Sequence, residues 1–279
     1  MIRKKLHNTL NISGYLLDLN IPKVMGILNV TDDSFYSKSR AYTEDSIKHR
    51  VKQMVAEGVD IIDIGGCSTR PGFSLPSEKE EKERVDMGCG IVREIAEDIP
   101  LSIDTFRATI AKHAIETWKI DIINDVSGGI EPEIWHIVSD YKKAYVLTHN
   151  SGDVKTKQDI TAQLITDLSK KVSELHRLGV NDVIIDPGFG FGKTIKENFK
   201  LLDELNEIVK MGLPVLVGIS RKSMIYKSLD STPENSLYGT IALDAIALEK
   251  GADILRVHDV KAAKETIMLY SQLKNLAYD

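Results

Sequence analysis

Cysteine is nearly absent: Cys67 and Cys89 are the two in 279 residues. They give neither a disulfide framework nor a cysteine spacing suited to a metal, so reduced cytosolic thiols are expected. Positive charge is not in excess either. Asp and Glu number 41 against 36 Lys and Arg, a net charge of −5. Nucleic-acid and anionic-membrane surfaces draw their affinity from a basic excess, so neither partner is expected, although a local basic pocket remains open. No apolar run approaches the roughly 20 residues that cross a bilayer. The opening "MIRKKLHNTLNISG" carries basic residues but not the apolar segment of a signal peptide, and the expectation is a cytoplasmic protein. Low-complexity linkers are missing, and the charged run "EKEEKER" (78–84) is of mixed sign and reads as the solvated face of a helix.

What the chain does have is a repeated unit: a short β-branched run, a polar loop, then an amphipathic stretch. The runs are "KVMGILNV" (23–30), "VDIIDIGG" (59–66), "LSID" (101–104), "DIIND" (121–125), "AYVLTH" (144–149), "DVIIDPG" (182–188), "PVLVGIS" (214–220) and "ADILRVH" (252–258). Helical patterns follow them at about 43–57, 77–97, 107–117, 131–140, 160–178, 195–211, 234–249 and 260–275. Ile110, Ala114 and Trp118 lie one turn apart, as a core-facing stripe does. Gly58, Gly179 and Gly251 stand where a helix should stop before the next strand. Nearly continuous apolar runs separated by helices imply parallel strands covered on both faces. Eight such units over about 250 residues fit a (β/α)8 barrel, with an open doubly wound sheet as the alternative. Residues 1–21 precede the barrel, and "LDLNIP" (17–22) is expected to form a small hairpin closing its bottom. The whole chain, 1–279, is expected to be one domain.

The residues ending the runs are polar. They are Asn29; Asp63 leading into "GGCSTRPG"; Asp104; Asn124 and Asp125; His149 and Asn150; Asp186; Ser220, Arg221 and Lys222; and Arg256 and His258. A barrel gathers all eight ends on one face, where barrel enzymes keep their chemistry. Asp104, Asn124 and Asp186 suit a planar, nitrogen-rich heterocycle, because a carboxylate matches an N–C–NH2 edge as it matches guanidinium. Arg221, Lys222, Arg256 and His258 form a cationic half suited to phosphate or pyrophosphate. Asn29 could stand near a Mg2+ that leans on phosphate oxygens. Taken singly, each has a plainer reading: Asp104 as a helix cap, Lys222 as a surface lysine, His258 as a structural histidine. His49, His113, His136 and His176 fall on helical patterns and read as surface or packing residues. "GFGFGKT" (188–194) is not a P-loop, since three residues instead of four separate Gly188 from Gly192. It reads as a tight loop offering Phe191 as an apolar wall.

With those residues placed, the chain resembles the dihydropteroate synthase family of pterin-binding enzymes. The signatures are "MGILNVTDDSF" (25–35), "DIGGCSTRPG" (63–72), "SIDTF" (102–106), "INDVSGG" (123–129), "LTHN" (147–150), "DPGFGFGK" (186–193), "VGISRKSMI" (217–225) and "LRVHDV" (255–260), all in order from Val24 onward. That family joins 6-hydroxymethyl-7,8-dihydropterin pyrophosphate to p-aminobenzoate and releases pyrophosphate. The resemblance implies that Asp104, Asn124, Asp186 and Lys222 bind the pterin. It implies that Asn29, Arg70, Arg256 and His258 serve the pyrophosphate, with Asn29 on Mg2+. Thr69, Arg70, Pro71, Phe191, Lys222 and Ser223 would form the p-aminobenzoate site, which sulfonamide drugs imitate in this family. Asp104, Asp186, Lys222 and Arg256 would carry the catalysis, a substitution at the exocyclic methylene, and a homodimer packed through late helices is implied.

The chain departs from the family at two places. "NVTDDSFYSKSR" replaces the usual "NVTPDSFSDGG", so Asp32 stands for a proline and the following glycines are missing. A fixed φ and some backbone freedom are lost there, and the closing of that loop, Tyr36 to Arg40 included, is the property affected. Cys67 replaces a commoner glutamate, while "STRPG" is intact. The rivals are a domain passing methyl groups from methyltetrahydrofolate to a corrinoid, against which "SRKSM" and "STRPG" argue, and a silent pterin-binding homologue, against which the basic cluster argues.

Overall fold

The computed structural model describes residues 9–31, 44–67, 75–150 and 159–275. An antiparallel hairpin, β1 (Thr9–Ile12) and β2 (Tyr15–Asp18), precedes the parallel strands β3 (Lys23–Asn29), β4 (Ile61–Gly65), β5 (Leu101–Asp104), β6 (Ile122–Asp125), β7 (Ala144–Thr148), β8 (Val183–Asp186), β9 (Leu216–Val217) and β10 (Ile254–Val257). The strands neighbour one another in the order β8-β7-β6-β5-β4-β3-β10-β9. A parallel bridge between Ile185 and Val215 joins the two ends, so the sheet is a (β/α)8 barrel and not an open sheet. The covering helices are α1 (Glu44–Ala56), α2 (Glu78–Ile95), α3 (Ala108–Trp118), α4 (Glu133–Asp140), α5 (Ile160–Arg177), α6 (Ile195–Asp203), α7 (Leu205–Val209), α8 (Ser223–Tyr226), α9 (Leu237–Glu249) and α10 (Val260–Lys274).

Alternation along each strand sorts side chains between helices and lumen. Ile62 and Ile64 of β4 point outward into the layer that holds Val85, Cys89 and Val92 of α2. Inside, Met25, Ile61, Ile122, Ala144, Ile184, Leu216 and Ile254 make an apolar floor, sealed from below by Leu10, Ile12, Leu17 and Leu19. Each fully buried Ile, Leu or Val contributes about 1.5–3 kcal/mol. With the floor dry, the lumen above it is free to be polar.

The hairpin does close the barrel's bottom, but it lies earlier than "LDLNIP". Its turn is Ser13-Gly14, both at positive φ (54° and 91°), the geometry that matches strand twist. The stretch expected as one helix at 195–211 is two, parted at Glu204 (φ −98°, ψ 16°), whose carboxylate is drawn to Lys200 and to Thr161 of α5. The helix at 234–249 begins at Leu237. Glu81, expected on a solvated face, is fully buried: Thr105 Oγ1 donates to it at 2.6 Å and Arg107 forms an ion pair with it. Gly58, Gly179 and Gly251 follow their helices at positive φ, as their positions suggested.

Candidate active site

The inward positions above the floor include Asn29, Asp63, Gly65, Asp104, Asn124, Thr148, Asp186, Gly218, Arg256 and His258, placed there by strand alternation. Arg256 is the hub. Its Nε donates to Asp63 Oδ2 at 2.7 Å and its Nη2 to Asp104 Oδ2 at 2.6 Å. Asn124 Nδ2 donates to the same Asp63 oxygen at 2.9 Å. The bases near the C-terminus and the acids of the middle strands therefore share one cavity. Burial pushes the Asp104 carboxyl up to about 7; Arg256 opposes this, and Asp63, Asp125 and Glu81 add to it. Burial works against the Arg256 cation, but Asp63 and Asp104 outweigh it and hold the guanidinium protonated.

Across the mouth, Asp186 ends β8. Gly188 N–H donates to Asp186 Oδ1 at 2.8 Å, which fixes the carboxylate. Its pKa is raised by burial, against the nearby Lys222 and Lys193 cations. Gly188 is required here: its φ is +69°, and a Cβ would lie 2.1 Å from the His149 carbonyl oxygen. Lys222 donates to the Phe189 carbonyl, and its Nζ lies 4.9 Å from the centroid of the Phe191 ring. Burial pulls the Lys222 ammonium down to about 8, with Asp186 resisting. The loop is tied by Lys193, whose Nζ donates to the carbonyls of His149 (2.9 Å), Gly188 (2.8 Å) and Phe191 (3.2 Å).

Asn29 ends β3 beside this ring, with its Oδ1 3.4 Å from where a Cβ on Gly65 would stand and Asp104 Cβ at 3.8 Å. His258 follows β10, its Nδ1 3.0 Å from Ser220 Oγ. Ser223 opens α8 directly after Lys222. Arg221, counted with the cationic half, donates instead to Asp259 through Nε (2.9 Å) and Nη2 (2.7 Å), and so braces the loops after β9 and β10. Thr69, Arg70, Pro71, Asp32 and the stretch Tyr36 to Arg40 lie outside the described residues.

Among the described residues there is no group of three or more His, Cys, Asp or Glu poised for a metal. The donors fit a Mg2+ that one neutral amide oxygen, from Asn29, would share with phosphate oxygens and water. Cys67 is half-buried, and burial, reinforced by Glu81, pushes its thiol up to about 11. It is no nucleophile at neutral pH.

Sequence reasoning missed three contributors. Asp63 was noted within its strand but given no role. Lys193 belongs to the glycine-rich turn that is no P-loop, and a lysine in such a turn can satisfy inward carbonyls. Glu81 sits one turn before Val85 and on the same face as Val92, a periodicity that marks it as inward despite its charged neighbours.

Residues 25–258 match the family model described as "Pterin binding enzyme". A dihydropteroate synthase of Synechocystis sp. is 43% identical over 249 residues, 86% of this chain and 86% of that protein. One from Haemophilus influenzae is 37% identical over 267 residues, 93% of this chain and 96% of the relative. The solved structure of Xanthomonas albilineans dihydropteroate synthase with 4-aminobenzoic acid superposes with a TM-score of 0.90 at 34% identity, covering 97% of this chain and 99% of the other.

Proposed function

Since this chain belongs to the pterin binding enzyme family, and within it to the dihydropteroate synthases, we propose how its barrel mouth divides the reaction among its residues. The reaction joins 6-hydroxymethyl-7,8-dihydropterin pyrophosphate to p-aminobenzoate and makes the chain a transferase. The corrinoid methyltransferase alternative falls away with the relatives' names. Asp104, Asn124, Asp186 and Lys222 take the heterocycle; Arg256, His258, Asn29 and Arg70 take the pyrophosphate. Thr69, Arg70, Pro71, Phe191, Lys222 and Ser223 take p-aminobenzoate.

The observation that carries this reading is the 2.6 Å ion pair of Arg256 with Asp104: a cation suited to an anion stands beside a carboxylate suited to an N–C–NH2 edge. The C–O bond at the exocyclic methylene breaks as pyrophosphate leaves with the electron pair. Positive charge spreads into the ring, where Asp104 and Asp186 favour it. Arg256 and His258 favour the departing anion, and preorganised charge of this kind supplies roughly 3–4 kcal/mol per interaction. Mg2+, held by Asn29, would neutralise phosphate charge. The aryl amine, neutral at pH 7, then forms the new C–N bond and releases a proton. No nucleophilic side chain is needed.

The occupant of the late helices is a second copy of this chain. Helix α9, "LYGTIALDAIALE", turns Thr240, Asp244, Ala247 and Leu248 inward, and its remaining positions are mostly apolar too, as on a helix covered on a second side. Yet Tyr238 is 84% exposed, as are Leu269 (72%) and Leu273 (75%) of the adjoining α10. A homodimer covers them, and Leu273→Glu should yield a monomer by sedimentation. The setting we propose is the cytoplasm, where Cys67 and Cys89 stay reduced.

The direct test is pyrophosphate release by purified protein with Mg2+ and the pterin pyrophosphate, with and without p-aminobenzoate. Release that depends on p-aminobenzoate, together with dihydropteroate as product, is expected. No product at saturating substrates would mean a silent homologue.

A further inference from the structure

Asp63 touches nothing in the reaction assigned above, yet two of the groups that do are held by one of its oxygens. Its Oδ2 accepts from Arg256 Nε at 2.7 Å and from Asn124 Nδ2 at 2.9 Å. The Asp63 side chain is wholly buried, whereas those of Asp104 and Arg256 keep 15% and 16% of their surface. The guanidinium thus has one partner that is fully enclosed and one that keeps a small exposed edge. Its Nη1 makes no hydrogen bond among the described residues.

We propose that Asp63 is the positioning residue of this site: the permanent anchor of Arg256 and Asn124, with Asp104 as the exchangeable partner of Arg256. The inference rests on the reading given under Proposed function.

The physical argument is one of unequal costs. Breaking the contact with Asp63 would strand a buried carboxylate and is strongly unfavourable. Breaking the contact with Asp104 exposes that carboxylate to water or to a bound heterocycle, which replaces the hydrogen bond. An incoming pyrophosphate therefore draws Nη2 off Asp104 while Nε stays on Asp63, and Asp104 is released to the N–C–NH2 edge it is meant to hold. The same anchor sets the amide of Asn124. With Nδ2 committed to Asp63, Oδ1 is the free end; it has no partner among the described residues. Asn124 then offers an acceptor and selects an N–H on the ligand.

Three measurements test this. A crystal structure of the wild-type protein with the pterin pyrophosphate should keep Nε on Asp63 and lose the contact of Nη2 with Asp104; an Nε that has left Asp63 overturns the proposal. Asp63→Asn keeps the shape and removes the charge. Its kcat/KM for the pterin pyrophosphate should fall about tenfold or more, with KM for p-aminobenzoate unchanged. A packing role alone would not move a pH profile, but an electrostatic anchor does. Asp104 is faced by Arg256 and Lys222 as cations and by Asp63, Asp125, Glu81 and the Cys67 thiol. Removing the Asp63 charge removes one influence that raises Asp104, so the acid limb should move to lower pH, by about half a unit or more. An unshifted limb with unchanged kcat/KM overturns the anchor. Calorimetric binding of the pterin pyrophosphate separates the two readings. Equal affinity of wild type and Asp63→Asn overturns the anchor, whereas a wild type that binds but forms no dihydropteroate overturns the assigned reaction alone.

Discussion

The Nζ of Lys222 lies 4.9 Å from the centre of the Phe191 ring and donates to the carbonyl of Phe189, two residues earlier in the same loop. One lysine from the β9 end thus clamps the loop that follows β8, between the assigned heterocycle and amine positions. Lys222→Ala removes the clamp and the charge together. Turnover or pterin affinity should fall at least tenfold, about 1.4 kcal/mol. Phe191→Leu keeps an apolar wall and loses the ring quadrupole, a smaller effect of about 0.5–1 kcal/mol. Steady-state kinetics on both variants checks the order, and an unchanged rate in Lys222→Ala would place the lysine outside the reaction.

The pH dependence of kcat/KM follows from two displaced titrations in the free enzyme. Asp104 is pushed up to about 7 by burial, and the heterocycle-binding role proposed for it requires the ionised form, so activity should rise as pH rises through that value. Lys222 is pulled down to about 8 by burial and must be protonated, so activity falls above it. Lys193 is likewise held at about 8 by burial, and the alkaline limb belongs to the two lysines together. The expected profile is a narrow bell between them. A flat response across pH 6 to 9 would contradict both assignments.

Much of this arrangement could be read from residue order. Near-continuous runs such as Val183–Asp186 are buried on both faces because they are parallel and helix-covered, and the polar residues ending them announce a working face. What could not be read is pairing at a distance. Asp63 and Arg256 are 193 residues apart, and nothing local tells that one carboxylate serves both Arg256 and Asn124. The hairpin turns at Ser13-Gly14 and not within "LDLNIP", because only the former pair supplies the positive φ that a two-residue turn needs. Glu81 looked solvated because charge runs usually are; its partners Thr105 and Arg107 arrive from another helix connection.

Gly188 gives a sharper test of how Asp186 is set. An Ala there meets the His149 carbonyl at 2.1 Å and must adopt a φ of +69°. The loop has to move, and the hydrogen bond from Gly188 N–H to Asp186 moves with it. Gly188→Ala should cost more than about 1 kcal/mol of stability in urea denaturation. It should also weaken pterin binding by about tenfold or more. Normal pterin affinity in a destabilised variant would show that Asp186 is held by other means.

Asp244, on α9, concerns stability and is none of the residues assigned to the substrates. It is buried, its Oδ1 has no hydrogen-bond partner among the described residues, and burial, with Asp259 adding, pushes its carboxyl up to about 8. The sign follows from linkage. A folded-state pKa above the unfolded value of about 3.9 means that the folded protein binds the proton more tightly. That stabilisation is complete below the unfolded value and is lost as pH rises through the folded one. Asp244→Asn cannot ionise, so its stability relative to wild type should grow with pH between about 4 and 8, by up to about 1.4 kcal/mol per unit, and level off above. Urea denaturation of the two proteins at pH 5, 6, 7 and 8 measures it; a difference that stays constant across that series would mean Asp244 is ionised in the folded protein and partnered.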